Sequence, residues 1–291
     1  MLSIIMNNLL ALALLFSGAV YSQVKSINTK KVEYHQFKTF GKKKIRDGKV
    51  VVSGIRYSTS DQEYSDSGRR FKVPLAVFER ARTLSQSVFR ASPGDTGGHG
   101  TAFYVGGNLI LTNQHVLSPK RTNTTKCKSF SIRLNSNQKS KTLYCKEVHY
   151  CNKNFDFCLI ELKDHKRGYS ITKETPLKLK KNSLYSPFMR TMVIGNPMGF
   201  GIHASTGIGT DLDNIYSPLM GRFRFYAPLF GGNSGGPIFN DQNDVIGIAT
   251  AQSAELVSDK SYNVGLPMET VLNLLEVKLK NKPLILNQLN Y

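Results

Sequence analysis

The sequence of 291 residues has no tryptophan, four cysteines, and 20 acidic residues against 39 basic ones. The missing tryptophan excludes nothing. The cysteine spacings match no zinc-ligand pattern, so no metal or other cofactor is expected. Zinc-finger and basic-zipper patterns are missing, and the aromatics are not arrayed as in an RNA-binding sheet, which removes specific nucleic-acid recognition. No fixed-period repeat occurs. Long amphipathic helices do not alternate with the strand-like runs, which disfavours a parallel α/β sheet. After the N-terminus no long apolar run appears, so the rest of the chain is expected to be soluble.

The one apolar run opens the chain, in "MLSIIMNNLLALALLFSGAVYSQ". Leu9 to Phe16 is too short to span a bilayer comfortably, and small residues follow. Residues 1–22 therefore read as a signal peptide, with Val20 and Ser22 suited to the cleavage site. It departs from the usual form in having no Lys or Arg before the apolar run. The alternative is a buried or anchoring N-terminal helix. No cysteine follows the cleavage point, against a lipid anchor. The expected location is outside the cytoplasm, secreted or periplasmic.

The cysteines fit export. Cys127 and Cys145 bracket two strand-like runs around a polar turn, so a hairpin would bring them together. Such a cross-link contributes about 3 kcal/mol in the chain-entropy model. Cys151 and Cys158 are a second candidate pair, the alternative for Cys158 being a buried free thiol.

The shortage of acidic residues leaves a formal charge of +19. Residues 23–50 hold nine basic residues and two acidic ones, including "GKKKIR". Such a segment suits an anionic surface, membrane or cell wall; the plain alternative is a solvated, poorly ordered arm. Residues 23–83 as a whole are polar and weakly patterned, and read as a basic N-terminal segment, either a pro-region or a flexible arm. Within them "VPLAVFERARTL" suits a short helix after Pro74.

From Ser87 onward short β-rich runs recur between glycine and asparagine turns: "SVFRA", "GTAFYV", "NLILTNQHVL", "FSIRL", "TLYCKEVHY", "FDFCLIEL", "TMVIGNP", "RFRFYAP", "GPIFN" and "DVIGIATAQ". The pattern indicates an all-β sandwich or barrel. Pro267 to Lys280 is the strong helix, with Val271, Leu272, Leu274, Leu275 and Val277 offered as its apolar face.

Three stretches carry chemistry. "NLILTNQHVL" delivers His115 at the end of an apolar strand. "FDFCLIEL" sets Asp156 at the head of another, where a carboxylate between Phe155 and Phe157 needs hydrogen bonds. "GGNSGGP" surrounds Ser234 with glycines. A serine hydroxyl needs a base to take its proton, and that base needs a carboxylate to hold its tautomer. The N–H groups of Gly232 and Ser234 suit the negative charge that develops on an attacked carbonyl. Singly, each residue has a structural reading: a satisfied core histidine, a turn-capping aspartate, a flexible glycine loop. Together, in the order His, Asp, Ser, they point to nucleophilic catalysis. Asp164 is the nearest rival carboxylate in sequence.

"LTNQHVL", "FDFCLIEL" and "GNSGGP" resemble the three motif blocks of the trypsin/chymotrypsin-like serine protease superfamily. "IGNPMGFG", "GGNSGGPIFNDQNDVIGIATAQ" and "YNVGLPMETVLNLL" resemble its bacterial HtrA-type and glutamyl-endopeptidase branches. The resemblance covers about residues 85–280. It implies an all-β fold of two antiparallel six-stranded β-barrels with a C-terminal α-helix, the first over residues 84–170 and the second, with the helix, over residues 171–291. It further implies a secreted endopeptidase acting on polypeptides through an acyl-enzyme, with a catalytic triad of His115, Asp156 and Ser234 and an oxyanion hole at Gly232 and Ser234. Asn233 stands where digestive and clotting proteases carry an aspartate, so activation by pairing with a new N-terminus is not expected. No PDZ domain is expected after the C-terminal helix. The pocket for the residue before the scissile bond maps to Tyr226 through Phe230, including Pro228 and Leu229, and to Ala249, Thr250, Ala251 and Gln252. "YAPLF" offers no acid for Lys or Arg, and Ala249 replaces the histidine of glutamyl endopeptidases. An apolar or small side chain is therefore the expected preference. His203 reads as a loop histidine in solvent, a cleft-facing position being the alternative.

Overall fold

The strand-like runs do form strands, and the strands close twice. The structure, a computed structural model, describes residues 34–35, 45–46, 49–52, 55–58, 63–66, 69–72, 75–93, 98–118, 127, 129–134, 141–164, 170–181, 188–199, 201–209, 222–252 and 263–291. Residues 1–22, expected as a signal peptide, and most of the basic run 23–50 lie outside them.

In the N-terminal segment β1 is Tyr34–His35. Then β2 (Ile45–Arg46), β3 (Lys49–Val52), β4 (Ile55–Ser58), β5 (Glu63–Asp66) and β6 (Arg69–Lys72) pair in order as an antiparallel meander. Three of the connections are two residues long and read Asp-Gly, Ser-Gly and Ser-Gly, residue pairs that suit tight hairpins. Strands thus occur where weak alternation had suggested none. Helix α1 spans Leu75–Leu84, as the run after Pro74 suggests. Its Ala81 is fully buried, and Arg80 ties it to the loop at Asn240 and Asn243.

The first barrel comprises β7 (Val88–Ser92), β8 (Gly100–Gly106), β9 (Leu109–Thr112), β10 (Ser131–Leu134), β11 (Lys141–Asn152) and β12 (Phe157–Leu162). It closes in the order β10-β11-β12-β9-β8-β7, with β7 returning to β10. Helix α2 (Gln114–Leu117) follows β9. The second barrel comprises β13 (Arg190–Gly195), β14 (His203–Gly209), β15 (Phe223–Tyr226), β16 (Pro237–Phe239), β17 (Val245–Gln252) and β18 (Asn263–Pro267). It runs β14-β13-β16-β17-β18-β15 and closes through β14 and β15, while β1 adds to β14. The protein thus has two closed six-stranded antiparallel barrels. The sequence reading had not marked β14 or β18 as strands from their own pattern. Both are rich in small residues, "HASTGIG" and "NVGLP", so apolar alternation is faint.

Why the first-barrel strands read as nearly continuous apolar runs is now plain. Along β8, Ala102 and Tyr104 point into the first barrel's own core, whereas Phe103 and Val105 join a core shared with the second barrel. Strands β9 and β12 split in the same way, Ile110, Cys158 and Ile160 inward, Leu109, Leu111, Phe157 and Leu159 toward the shared core. A strand buried on both faces loses the apolar–polar alternation. The shared core also takes Ile194, Phe239, Ile248 and Leu266 from the second barrel.

Helix α3 (Met268–Lys278) caps this core, and α4 (Pro283–Leu286) follows it. Val271, Leu272 and Leu275 are buried, joined by Leu279. Val277, expected on that face, is 64% exposed. It lies two residues from Leu275, which on a helix turns it about 200° away. The cysteines pair as Cys127–Cys145 and Cys151–Cys158, and none of the four is free. The second pair joins residues directly opposite one another on β11 and β12, their Cα atoms 4.1 Å apart. The free-thiol alternative for Cys158 is therefore set aside.

Candidate active site

Strand β9 is wholly buried and ends at Thr112. Asn113 then turns the chain, its carbonyl accepting from the N–H groups of Val116 and Leu117. His115 thus sits in a one-turn helix, not at a strand end as the sequence suggested. The short helix turns the imidazole back toward the head of β12. There the Asp156 carboxylate grips His115 twice: Oδ1 accepts from the backbone N–H at 3.0 Å, and Oδ2 lies 2.7 Å from Nδ1. The two side chains are 28% and 15% exposed, open enough for a reactant and dry enough to strengthen the pair.

Asp156 adopts φ +60°, a left-handed conformation that aspartate tolerates better than most residues. The turn around it has its polar groups met. Asn152 Oδ1 accepts from the N–H groups of Asn154 and Phe155, and Asn113 Nδ2 donates to the Asp156 carbonyl at 2.7 Å. From the second barrel Arg222 donates to the carbonyls of Asn154 and Phe155, and to Thr250 Oγ1 at 2.7 Å. Asp164, the rival carboxylate, is exposed beyond the end of β12.

Ser234 stands on the turn between Phe230 and Gly236, with Asn233 N–H donating to the Phe230 carbonyl and Gly236 N–H to the Asn233 carbonyl. Gly232 has φ +100° and Gly235 φ +84°, conformations that favour glycine. At Gly235 a Cβ would stand 2.2 Å from the Thr101 carbonyl and 2.5 Å from Thr112 Oγ1. The serine turn is therefore pressed against the strand end that leads to His115. Among the described residues, neither the N–H of Gly232 nor that of Ser234 has a protein acceptor, and the Ser234 hydroxyl makes no hydrogen bond. Thr101, fully buried, donates through its N–H to the Ser234 carbonyl at 2.8 Å and through its hydroxyl to the Gly232 carbonyl at 2.7 Å.

The arrangement has counterparts among known proteins. Residues 100–248, about half of the chain, match the family described as "Trypsin-like peptidase domain". The chain belongs to the trypsin-like peptidase family. Exfoliative toxin A of Staphylococcus aureus is 26% identical over 174 residues, 57% of this chain and 60% of the toxin. The chain thus spans less than two thirds of that relative's length. A crystal structure of the serine endoprotease from Yersinia pestis superposes with a TM-score of 0.56 at 16% identity, over 72% of this chain and 69% of that one, a likeness of fold.

Other sequence-predicted positions of this trypsin-like chain fall as follows. Leu229 and Ala249 are buried in the second barrel's own core with Phe225 and Ile246. Pro228 and Tyr226 are half-buried, and Phe230 is 48% exposed on the lip beside the serine turn. Thr250 is buried, with its hydroxyl donating to the Val264 carbonyl and accepting from Arg222. Ala251 and Gln252 lie on β17, paired with Val264 and Asn263 of β18. Asn263, unmarked in the sequence, is buried beside them and donates to the Ala227 carbonyl at 2.5 Å. His203, expected on a loop in solvent, instead heads β14 opposite Gly195 and is 7% exposed, a barrel-strand residue. Asn233 is buried, its amide oxygen seated against Gly195, so the position before the serine is held with no ion pair.

Away from this site, Glu147, His149 and Glu161 cluster on β11 and β12. His149 Nδ1 lies 3.3 Å from Glu147 Oε1 and Nε2 2.9 Å from Glu161 Oε2, while Lys146 meets the other Glu161 oxygen and Lys282 meets the same Glu147 oxygen. Only Nε2 hydrogen-bonds a carboxylate, Nδ1 is buried without a hydrogen-bond partner, and the two ammonium groups pair with the carboxylates as salt bridges. Burial pushes the Glu161 carboxyl up, but the hydrogen bonds and charges of Lys146 and His149 outweigh it and hold it below the usual range. Lys146 is raised in turn, chiefly by its hydrogen bond to Glu161.

Proposed function

We propose that the protein is an exported serine endopeptidase with Ser234 as nucleophile, His115 as general base and acid, and Asp156 as the group that orients the base. The observation that carries this reading is the double hold of Asp156 on His115. With Nδ1–H donating to the carboxylate, Nε2 is left as the proton acceptor. Nε2 takes the proton of Ser234 Oγ as that oxygen bonds to the scissile carbonyl carbon. The N–H groups of Gly232 and Ser234 receive the oxyanion. His115 then passes the proton to the leaving amine, the C–N bond breaks, and an acyl-serine remains. Water, deprotonated by His115, releases the acid by the same route reversed. Among the described residues the Ser234 hydroxyl makes no hydrogen bond, and catalytic hydrogen bonds commonly align only around substrate.

The substrate is a polypeptide. The lack of an acidic residue from Tyr226 through Phe230 and the alanine at position 249 support an apolar or small side chain before the scissile bond. Two disulfides and the N-terminal apolar run support export, and the basic residues 23–50 support docking on an anionic membrane or cell wall. Incubation of the purified protein with a fluorophosphonate tests the reading. Covalent labelling of the wild type and none of Ser234→Ala is expected. A folded wild type that takes no label would refute it.

A further inference from the structure

We infer that Thr101 is the positioning residue that holds the oxyanion hole in its working shape, an inference that rests on the peptidase reading above. Its hydroxyl accepts from the N–H of Asn196 at 2.9 Å. An amide N–H only donates, so the hydroxyl keeps its own proton for the Gly232 carbonyl, 2.7 Å away. The direction of the hydrogen bond is thereby fixed. The peptide between Gly232 and Asn233 is gripped at both ends, its oxygen by Thr101 and its N–H by the Phe230 carbonyl.

The next peptide, between Asn233 and Ser234, has its oxygen held by Gly236 N–H, so the Ser234 N–H points to the opposite side. The peptide after that is held by Thr101 N–H at the Ser234 carbonyl. One buried residue of the first barrel thus fixes carbonyls on both sides of the Ser234 N–H. At Gly232, where φ is +100°, fixing the following peptide restricts the directions open to that residue's own N–H. Glycine by itself imposes no such direction, since it moves between φ regions at little cost. Without the hydroxyl, that peptide keeps only the hold of the Phe230 carbonyl on its N–H, and the Gly232 carbonyl loses the partner that keeps it turned away from the space where the oxyanion forms. Thr101 is fully buried and touches no substrate. Its effect passes through Gly232 and Ser234.

The hydroxyl is also the feature that a near-isosteric substitution removes. In Thr101→Val a methyl replaces the oxygen, and a methyl cannot approach a carbonyl oxygen as closely as a hydrogen-bonding hydroxyl. Asn196 N–H and Gly232 C=O both lose their partner, and the serine turn must shift. Thr101→Ala removes the hydroxyl with no added bulk. Thr101→Ser keeps it.

The test is the second-order rate of fluorophosphonate labelling at Ser234 in the full-length protein, with the fold checked by thermal melting. Labelling about ten- to hundred-fold slower is expected in both Val and Ala variants, the range for a displaced oxyanion donor. The Ser variant should label close to the wild-type rate. Val and Ala variants that label like the wild type, or a Ser variant as slow as Val, would overturn the role of the hydroxyl while leaving the peptidase reading in place. Loss of the fold in both Val and Ala would assign the hydroxyl to stability and overturn it too. A wild type that takes no label sinks the peptidase reading first, so the two failures are told apart.

Discussion

Asp156→Asn isolates the hydrogen bond at His115 Nδ1. In the wild type a carboxylate oxygen accepts there at 2.7 Å, a short, charge-assisted contact. An asparagine can keep its oxygen on the His115 backbone N–H, which the carboxylate meets at 3.0 Å. Its NH2 group then faces Nδ1, donor against donor. The imidazole relieves the clash by moving its proton to Nε2, the nitrogen that accepts from Ser234 in the proposed mechanism. Loss of the base in this way is worth about 10⁴ in rate, or about 5.4 kcal/mol at 1.36 kcal/mol per decade. The fold should suffer much less, about 1–2 kcal/mol for the weakened hydrogen bond, because the turn is held through backbone atoms by Asn113, Asn152 and Arg222. The assay is the fluorophosphonate labelling rate at neutral pH beside a urea unfolding curve. A variant that labels near the wild-type rate would show that Asp156 does not set the tautomer. One that unfolds outright would show that the turn depends on the carboxylate.

The other predictions concern stability. Replacing Cys127 and Cys145 together by alanine should cost about 3 kcal/mol in urea unfolding, from loop closure across 18 residues of sequence; an unchanged midpoint would mean the cross-link does not constrain the unfolded chain. The depressed Glu161 carboxyl stabilises the fold above the ordinary carboxylate pKa, and the contribution is lost as pH falls through its lowered folded value. Melting temperatures followed downward from pH 5 should therefore fall less steeply in Glu161→Gln than in the wild type, and parallel curves would refute the linkage.

Much of the site was legible in one dimension because its chemistry demands particular residue types. A serine on a glycine-rich turn, a histidine after an apolar run and an acid at a strand head are local patterns, and each survives translation into sequence. Paired cysteines at the ends of a hairpin are equally local. The failures have a common physical cause. The one-turn helix at His115 is held by Asn113 and by the contact with Asp156, 41 residues away, and not by helix propensity. Val277 looked like a core residue because five apolar residues lie close together; only packing against β17 and β18 selects which arc of the helix is covered. His203 reads as a loop residue among glycines, yet it starts a strand because β13 lies beside it.

The sequence by itself determined the candidates: a serine on a glycine-rich turn, a histidine and an aspartate upstream of it, and a barrel-forming string of short strands. Only the tertiary structure decided how these are held. Thr101 and Arg222 look ordinary in the chain, one a strand residue and the other a surface cation. Thr101 reaches Asn196 and Gly232, and Arg222 reaches Asn154 and Phe155, all 67 or more positions away, so no local pattern can report these hydrogen bonds. Hydrogen bonds between barrels exist only once both barrels have closed, and the positions that make them are set by the closure.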